Sequence, residues 1–325
     1  SGTKDFLGPH CEGEAISTLE SKGIVSYQPE ELFITAKAGT SLSEIEAALA
    51  EKGHQFPFEP PAFGDTAPLG GHIACGLAGP ARPGKGAARE FVLGSRVLTG
   101  KGELLRFGGE VIKNVAGYDV SRLMCGAFGT LGLLTELSIK VVPVPQKSVT
   151  LTMELARDEA LARVTELSRL PWPISAAAWY QGILSVRLSG AEAAVNHAVT
   201  SLGGELSEES GFWRSLREQT HPFFNSTNVL WRLSLPQATP SIDLPGEELL
   251  DWGGAQRWLL SDEDGTTIRA IASEAGGNAT AFRNPPCRND AFMPLVPPML
   301  ALHRRIKQAF DPKGILNPGR LYREL

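Results

Sequence analysis

Cysteine is scarce in this sequence. Four cysteines stand among 325 residues, at 11, 75, 125 and 287, and no two form a C-x-x-C pair. That spacing suits neither an iron–sulfur run nor a zinc site, and it reads as free buried thiols in a reducing cytoplasm. The six histidines (10, 54, 72, 197, 221 and 303) never pair at metal-ligand spacing, so no metal site is expected. Basic charge is not in excess: 31 Lys and Arg stand against 36 Asp and Glu, a net charge of -5. A nucleic-acid surface would need the opposite balance, so no nucleic-acid partner is expected. No apolar run approaches the about 18 residues that a transmembrane helix needs, so no direct membrane span is expected.

Familiar catalytic signatures are missing too. Gly79-Pro-Ala-Arg-Pro-Gly84-Lys85 fits G-x-x-x-x-G-K in outline. Pro80 and Pro83 remove N–H groups that a P-loop needs, and Gly86 stands where Ser or Thr would bind magnesium. No G-x-G-x-x-G lies at a strand-to-helix turn, and Gly126-x-x-Gly129-x-x-Gly132 has the wrong phase for a Rossmann site. There is no nucleophile elbow and no carboxylate pair that stands out from a solvated surface. The catalytic residues are therefore unknown at this level.

What the sequence does have is glycine, gathered in one place. Of 35 glycines, 16 fall between Gly64 and Gly132. They are interleaved with strand-like runs, so the stretch is no flexible linker. Glycine serves where φ is positive or where a Cβ would block an approaching group, and the stretch reads as a cradle for a large phosphate-bearing cofactor. The chain opens Ser1-Gly2-Thr3, inside what reads as a tight turn, so an upstream segment is expected to be missing. Residues 1–8 suit either an ordinary loop or an anion-binding turn of backbone N–H groups.

The length suggests two domains, or one large one. Ile24 to Lys37 reads as two strands, and Ser41 with Glu44 caps a helix closed by Gly53. Phe91–Leu98 and Glu103–Phe107 read as a hairpin around Gly100-Lys101-Gly102. A short helix over about 119–124 and a strand over 133–142 follow, and Pro143-Val144-Pro145 marks a boundary. The second half reads β-α-β-β-α, most of a ferredoxin-like unit. Val229–Leu235 and Thr267–Ala275 are expected to form a second, looser layer. A helix over about 298–310 ends the chain.

Thr66-x-x-Leu-Gly-Gly-x-x-Ala74, Lys113-Asn-Val-Ala-Gly-Tyr-Asp119, Gly126-x-x-Gly-Thr-Leu-Gly132 and Leu316-Asn-Pro-Gly-Arg320 resemble the vanillyl-alcohol-oxidase / p-cresol-methylhydroxylase type of FAD-binding domain. Within that type the chain resembles the flavin subunits of glycolate-oxidising complexes over nearly its whole length. The resemblance implies an α+β fold: a two-lobed FAD-binding domain (1–145, its N-terminus truncated), a ferredoxin-like α+β cap (146–292), and a C-terminal segment (293–325) returning to the flavin domain. It implies FAD held by Gly2, Thr3, Leu69, Gly70, Gly71, Ala74, Gly76 and Gly79 at the pyrophosphate. Gly129, Thr130, Gly132 and Leu134 would run along the adenosine or pyrophosphate. Lys113, Gly117 and Asn317 would lie toward the isoalloxazine.

The implied partners are a second FAD-containing oxidase subunit, an iron–sulfur subunit and a small 2-hydroxy acid, glycolate. The implied place is the cytoplasm, with attachment to the inner face of the cell membrane through the complex. The His-bearing Gly-Asp-Gly-Asn and Glu-His-Gly segments of the family's 2-hydroxy-acid dehydrogenases are missing, and Gly276–Thr280 carries no base. Substrate oxidation therefore falls to a partner. Two alternatives stay open. One is a self-sufficient D-2-hydroxy-acid dehydrogenase in which Lys113 or Arg320 holds the substrate carboxylate or stabilises the reduced flavin electrostatically. The other is a non-catalytic scaffold using Trp172, Trp179, Phe212, Trp213, Phe223 and Phe224 as an interface, which core packing explains as well.

Overall fold

A computed structural model describes residues 2–11, 13–109, 119–209 and 211–325. The chain divides into two compact units. The first comprises Ser1–Ala78, Gly86–Val144 and Pro294–Leu325, and the second Gly79–Lys85 and Pro145–Met293.

In the first unit, β1 (Ile24–Gln28) and β2 (Phe33–Lys37) form a hairpin. α1 (Leu42–Ala50) begins where Ser41 Oγ accepts the Glu44 N–H at 3.1 Å. It buries Leu42, Ile45 and Leu49 at a helical spacing. α2 (Leu69–Cys75) makes a helix of part of the glycine-rich stretch between Gly64 and Gly132. Adjacent glycines cost about 1 kcal/mol each in helix propensity. Full burial of Leu69 and Ile73, worth about 1.5–3 kcal/mol each, outweighs that. Gly76, at φ 65°, ends the helix in the left-handed conformation.

β3 (Val92–Leu98), β4 (Leu104–Gly108), α3 (Val120–Met124, capped by Asp119) and β5 (Leu133–Lys140) follow. The sheet is antiparallel in the order β1-β2-β5-β3-β4. One face packs on α1 and α2 through Ile34, Leu137, Ile139, Ile45, Ile73 and Phe58.

The second unit holds a single eight-stranded antiparallel sheet. Its strands are β6 (Lys147–Glu154), β7 (Ile174–Tyr180), β8 (Ile183–Gly190), β9 (Glu205–Leu206), β10 (Leu230–Ser234), β11 (Glu247–Asp251), β12 (Gln256–Leu260) and β13 (Asn278–Arg283). Their order is β9-β6-β8-β7-β11-β12-β10-β13. The expectation of a second, looser layer is thus corrected: its strand, β10, is an inner strand of this same eight-stranded sheet. Read outward from the β7–β11 seam, each half has the ferredoxin-like order second, third, first, fourth.

The first half carries α4 (Arg157–Leu167) and α5 (Glu192–Leu202) as crossovers. α6 (Phe212–Glu218) lies between the halves in sequence. The second half keeps α7 (Gly265–Glu274) but replaces its other crossover helix with residues 235–246. Ile242 and Leu244 from that loop fill the core beside α7, and the fully buried Arg257 donates to the carbonyls of Thr239 and Pro240. The chain then returns to the first unit in α8 (Pro297–Phe310). No helix among the described residues is long and apolar enough to cross a membrane.

Candidate functional site

A cleft of about 250 Å³ opens on the first unit. Four short pieces of chain build it. The first is the Gly2–Asp5 turn, closed by the Asp5 N–H on the Gly2 carbonyl at 3.0 Å. The second is Pro68 with the α2 residues Gly70, Gly71, Ala74 and Cys75. The third is Phe128–Gly129 with Gly132–Leu134, where the chain enters β5. The fourth is Asn317 and Arg320, beyond α8. Ile16 and Thr18 complete the rim.

The structure thus brings together Gly2, Thr3, Gly70, Gly71, Ala74, Gly129, Gly132, Leu134 and Asn317. It does not bring Leu69, Gly76, Gly79 or Thr130 to the lining. Leu69 is wholly buried. Gly76 packs on Gly126, whose N would lie 3.1 Å from any Cβ added there. Gly79 belongs to the second unit, where its carbonyl accepts the Trp252 indole N–H at 3.0 Å. The Thr130 hydroxyl donates to the Ala127 carbonyl at 2.7 Å. Lys113 and Gly117 lie outside the described residues.

Several of the missing Cβ atoms make room for protein rather than for a ligand. A Cβ on Gly70 would meet the Ala38 Cβ at 2.6 Å, so glycine there lets α2 sit on the end of β2. The N–H groups of Leu69 and Gly70 are also engaged, by the Thr40 and Ala38 carbonyls at 2.8 Å each. The cradle expected over 69–79 is therefore narrower, reduced to Gly71 and Ala74 with the small residues of the other walls.

Gly129 has φ 72°, and a Cβ on it would come 2.7 Å from Asn317 Nδ2. Asn317 itself has φ 42° and donates from Nδ2 to the Phe128 carbonyl at 2.7 Å. The two left-handed turns therefore lock together across the cleft.

The electrostatics favour an anion. Lys4 is buried, with Nζ donating to the Ala62 carbonyl at 3.3 Å and lying 5.4 Å from the Phe63 ring. Arg320 stands over the Phe128 ring and donates to the Pro9 carbonyl. Asp5 is the carboxylate of the described lining. Two cations, one carboxylate and walls of small residues suit a diphosphate, and the residues present therefore fit FAD. Lys4, Phe128 and Arg320 are contributions that the glycine pattern alone does not single out.

Burial pushes the Cys75 thiol up to about 11 and the Cys125 thiol up to about 12, so both are protonated at neutral pH. The described lining contains no histidine and no glutamate. No group of three metal-ligating side chains occurs among the described residues.

Comparison with known proteins agrees with this geometry. Residues 1–108 match the family described as FAD binding domain, and residues 294–321 match the one described as FAD linked oxidases, C-terminal domain. The chain is 50% identical to glycolate oxidase subunit GlcE of Escherichia coli (strain K12), over 100% of this chain and 92% of that one. It is 34% identical to glycolate oxidase subunit GlcD of Bacillus subtilis (strain 168), over 46% of this chain and 32% of that one. A solved structure of alkyldihydroxyacetonephosphate synthase covers 92% of this chain and 66% of its own, with TM-score 0.61 and 15% sequence identity, which speaks for the fold alone. The chain belongs to the FAD-linked oxidase family, as an FAD-dependent oxidoreductase subunit related to GlcE.

Proposed function

We propose that this chain is the FAD-holding subunit of a glycolate-oxidising complex. It acts with a second flavin subunit and an iron–sulfur subunit in turning glycolate into glyoxylate, in the cytoplasm or at the inner face of the cell membrane. One observation carries the division of labour. The described cleft lining offers Lys4 and Arg320 for a diphosphate and no histidine, glutamate or thiolate to take a hydroxyl proton, and its carboxylate, Asp5, lies in the Gly2–Asp5 turn assigned to the diphosphate end. The relationship to GlcE supports the choice of complex.

Bound FAD supplies the electron-accepting isoalloxazine. The chain's own residues hold it. Gly2, Thr3, Gly71 and Ala74 leave room for the diphosphate, and Lys4 and Arg320 neutralise it. Gly70, Gly129, Gly132 and Leu134 shape the wall along the nucleotide. Asn317, tied to the Phe128 carbonyl, closes the cleft from the C-terminal side. Leu69, Gly76 and Thr130 hold these walls by packing.

The test is to co-purify the chain with its partners and quantify flavin and iron in each subunit. The reading requires flavin on this chain, iron on another, and glycolate turnover only by the assembly. Turnover of glycolate by this chain alone would replace it with the self-sufficient dehydrogenase. Flavin-free chain in an active complex would replace it with a scaffold.

A further inference from the structure

The two halves of the eight-stranded sheet join where Leu250 of β11 pairs with Trp179 of β7. Continued antiparallel pairing would set Trp252 opposite Ala177 and Gly253 opposite Ala176. The chain instead leaves β11 at Asp251 and turns through Trp252–Gly254. A pocket of about 190 Å³ lies at this parting of the strands, and every residue that lines it belongs to the second unit. Pro83 and Gly84 close one side, where a Cβ on Gly84 would come 3.2 Å from the Ile174 carbonyl.

The walls are apolar. Trp172 and Trp252 contribute indole rings, and Val164 and Leu167 of α4 contribute aliphatic side chains. β7 contributes Ala176 and Ala177, where larger β-branched residues are the usual choice for a strand. Trp252 is buried, with its indole N–H held by the Gly79 carbonyl at 3.0 Å and the Arg82 guanidinium stacked 4.3 Å from its ring centre, so this wall is fixed in advance of any ligand. No charged side chain stands in the described lining, whose polar side chains are Ser168, Ser175 and Gln237. Space left beside a core costs stability, because the atoms around it lose packing partners. Apolar cavities of about 150 Å³ take up benzene, so this pocket has room for a slightly larger ring.

We propose that this seam pocket binds a small, neutral, flat aromatic molecule of about indole size, packed against Trp172 and Trp252. The absence of charge in the described lining selects a neutral ring, because an ionised substituent would lose its water without a partner to replace it. The site goes beyond the function proposed above and needs neither FAD nor a partner subunit.

The test is nuclear magnetic resonance of the full-length chain carrying ¹⁵N-labelled tryptophan, titrated with indole, and with benzoate as the charged control at matched ionic strength. All six tryptophans (172, 179, 213, 231, 252 and 258) stand in the second unit, so ring binding in the first-unit cleft is not what they report. W172F and W252F assign the two signals. The Trp172 and Trp252 indole signals should shift saturably with Kd below about 1 mM, those of Trp231 and Trp258 should stay in place, and benzoate should bind at least about tenfold more weakly. W172A removes one wall and should weaken indole binding at least about tenfold. S168F, at an exposed position on the rim, places a ring in the mouth and should weaken it as much while leaving the melting temperature unchanged; where W172A does not fold, S168F decides. An absence of saturable shifts, shifts centred on Trp213 or Trp258 instead, benzoate bound as tightly as indole, or unchanged binding in S168F would overturn the proposal.

Discussion

The Lys307 ammonium donates to the Asp311 carboxylate at 2.7 Å, one helical turn further on, and both side chains are almost wholly buried. The same ammonium donates to the carbonyls of Thr130 at 2.8 Å and Leu316 at 2.7 Å. Asp311 in turn accepts the Leu316 N–H at 2.8 Å. This pair therefore ties the end of α8 and the Leu316–Asn317 segment to the turn that carries Gly129. Two walls of the cleft depend on it.

Breaking this pair leaves a buried charge without its counterion. D311A should cost about 3–5 kcal/mol of stability, and it should release flavin before the unit unfolds. Denaturant unfolding followed by flavin fluorescence separates the two events. A variant that unfolds early but keeps its flavin to the end would show that the pair does not hold the cleft.

The same carboxylate sets an acid limit. Burial pushes the Asp311 carboxyl up, but the Lys307 hydrogen bond and the Leu316 N–H outweigh it and hold the carboxyl below its ordinary value. A depressed carboxyl stabilises the fold fully above its unfolded pKa of about 3.9. That contribution fades as pH falls through the lower folded value. Melting temperature measured from pH 6 downward should drop more steeply for the parent than for D311N, which starts lower and has no such group to protonate.

Gly129 stands between shape and chemistry. G129A puts a Cβ at positive φ, costing about 1–2 kcal/mol, and pushes on the Asn317 amide. The expected result is a modest loss of stability together with faster flavin release. N317A, which removes the bond to Phe128 and leaves alanine at φ 42° where asparagine is better tolerated, should cost about 0.5–1.5 kcal/mol for the bond and up to about 1 kcal/mol more for the backbone, and quicken release less. Flavin release rates of the two variants check the order.

In the second unit, Glu248 accepts from Arg157 at 3.0 Å and lies 4.0 Å from the fully buried Arg257. E248A should cost about 3–5 kcal/mol, because Arg257 is left without its carboxylate. If the flavin belongs to the first unit, E248A should unfold the second unit in urea while flavin stays bound. Flavin loss parallel to that unfolding would contradict the assignment of FAD to the cleft.

Much of this architecture is legible in the sequence, and the exceptions share a cause. Ser41 and Asp119 are local capping signals, and the 100–102 hairpin is a local turn signal, so each is readable from a few residues. α2 is not, because Gly70-Gly71 argues against a helix and only the burial of Leu69 and Ile73 restores it. β11 and β12 are five residues each and begin with Glu247-Glu248 and Gln256-Arg257, which read as surface. The buried charged groups that organise the two units, namely Lys4, Lys307, Asp311 and Arg257, are of kinds normally found in solvent. Their burial is a property of tertiary structure, which no periodicity announces.

The central claim is that this chain itself holds FAD in the cleft between the Gly2–Asp5 turn, α2 and Asn317. The most direct measurement is the flavin released per chain on denaturing purified full-length protein, compared with a G71V variant that narrows the cleft without touching Lys307 or Asp311. The account predicts stoichiometric FAD from the parent and markedly less from the folded variant. FAD absent from the parent, or equal in both, would contradict it.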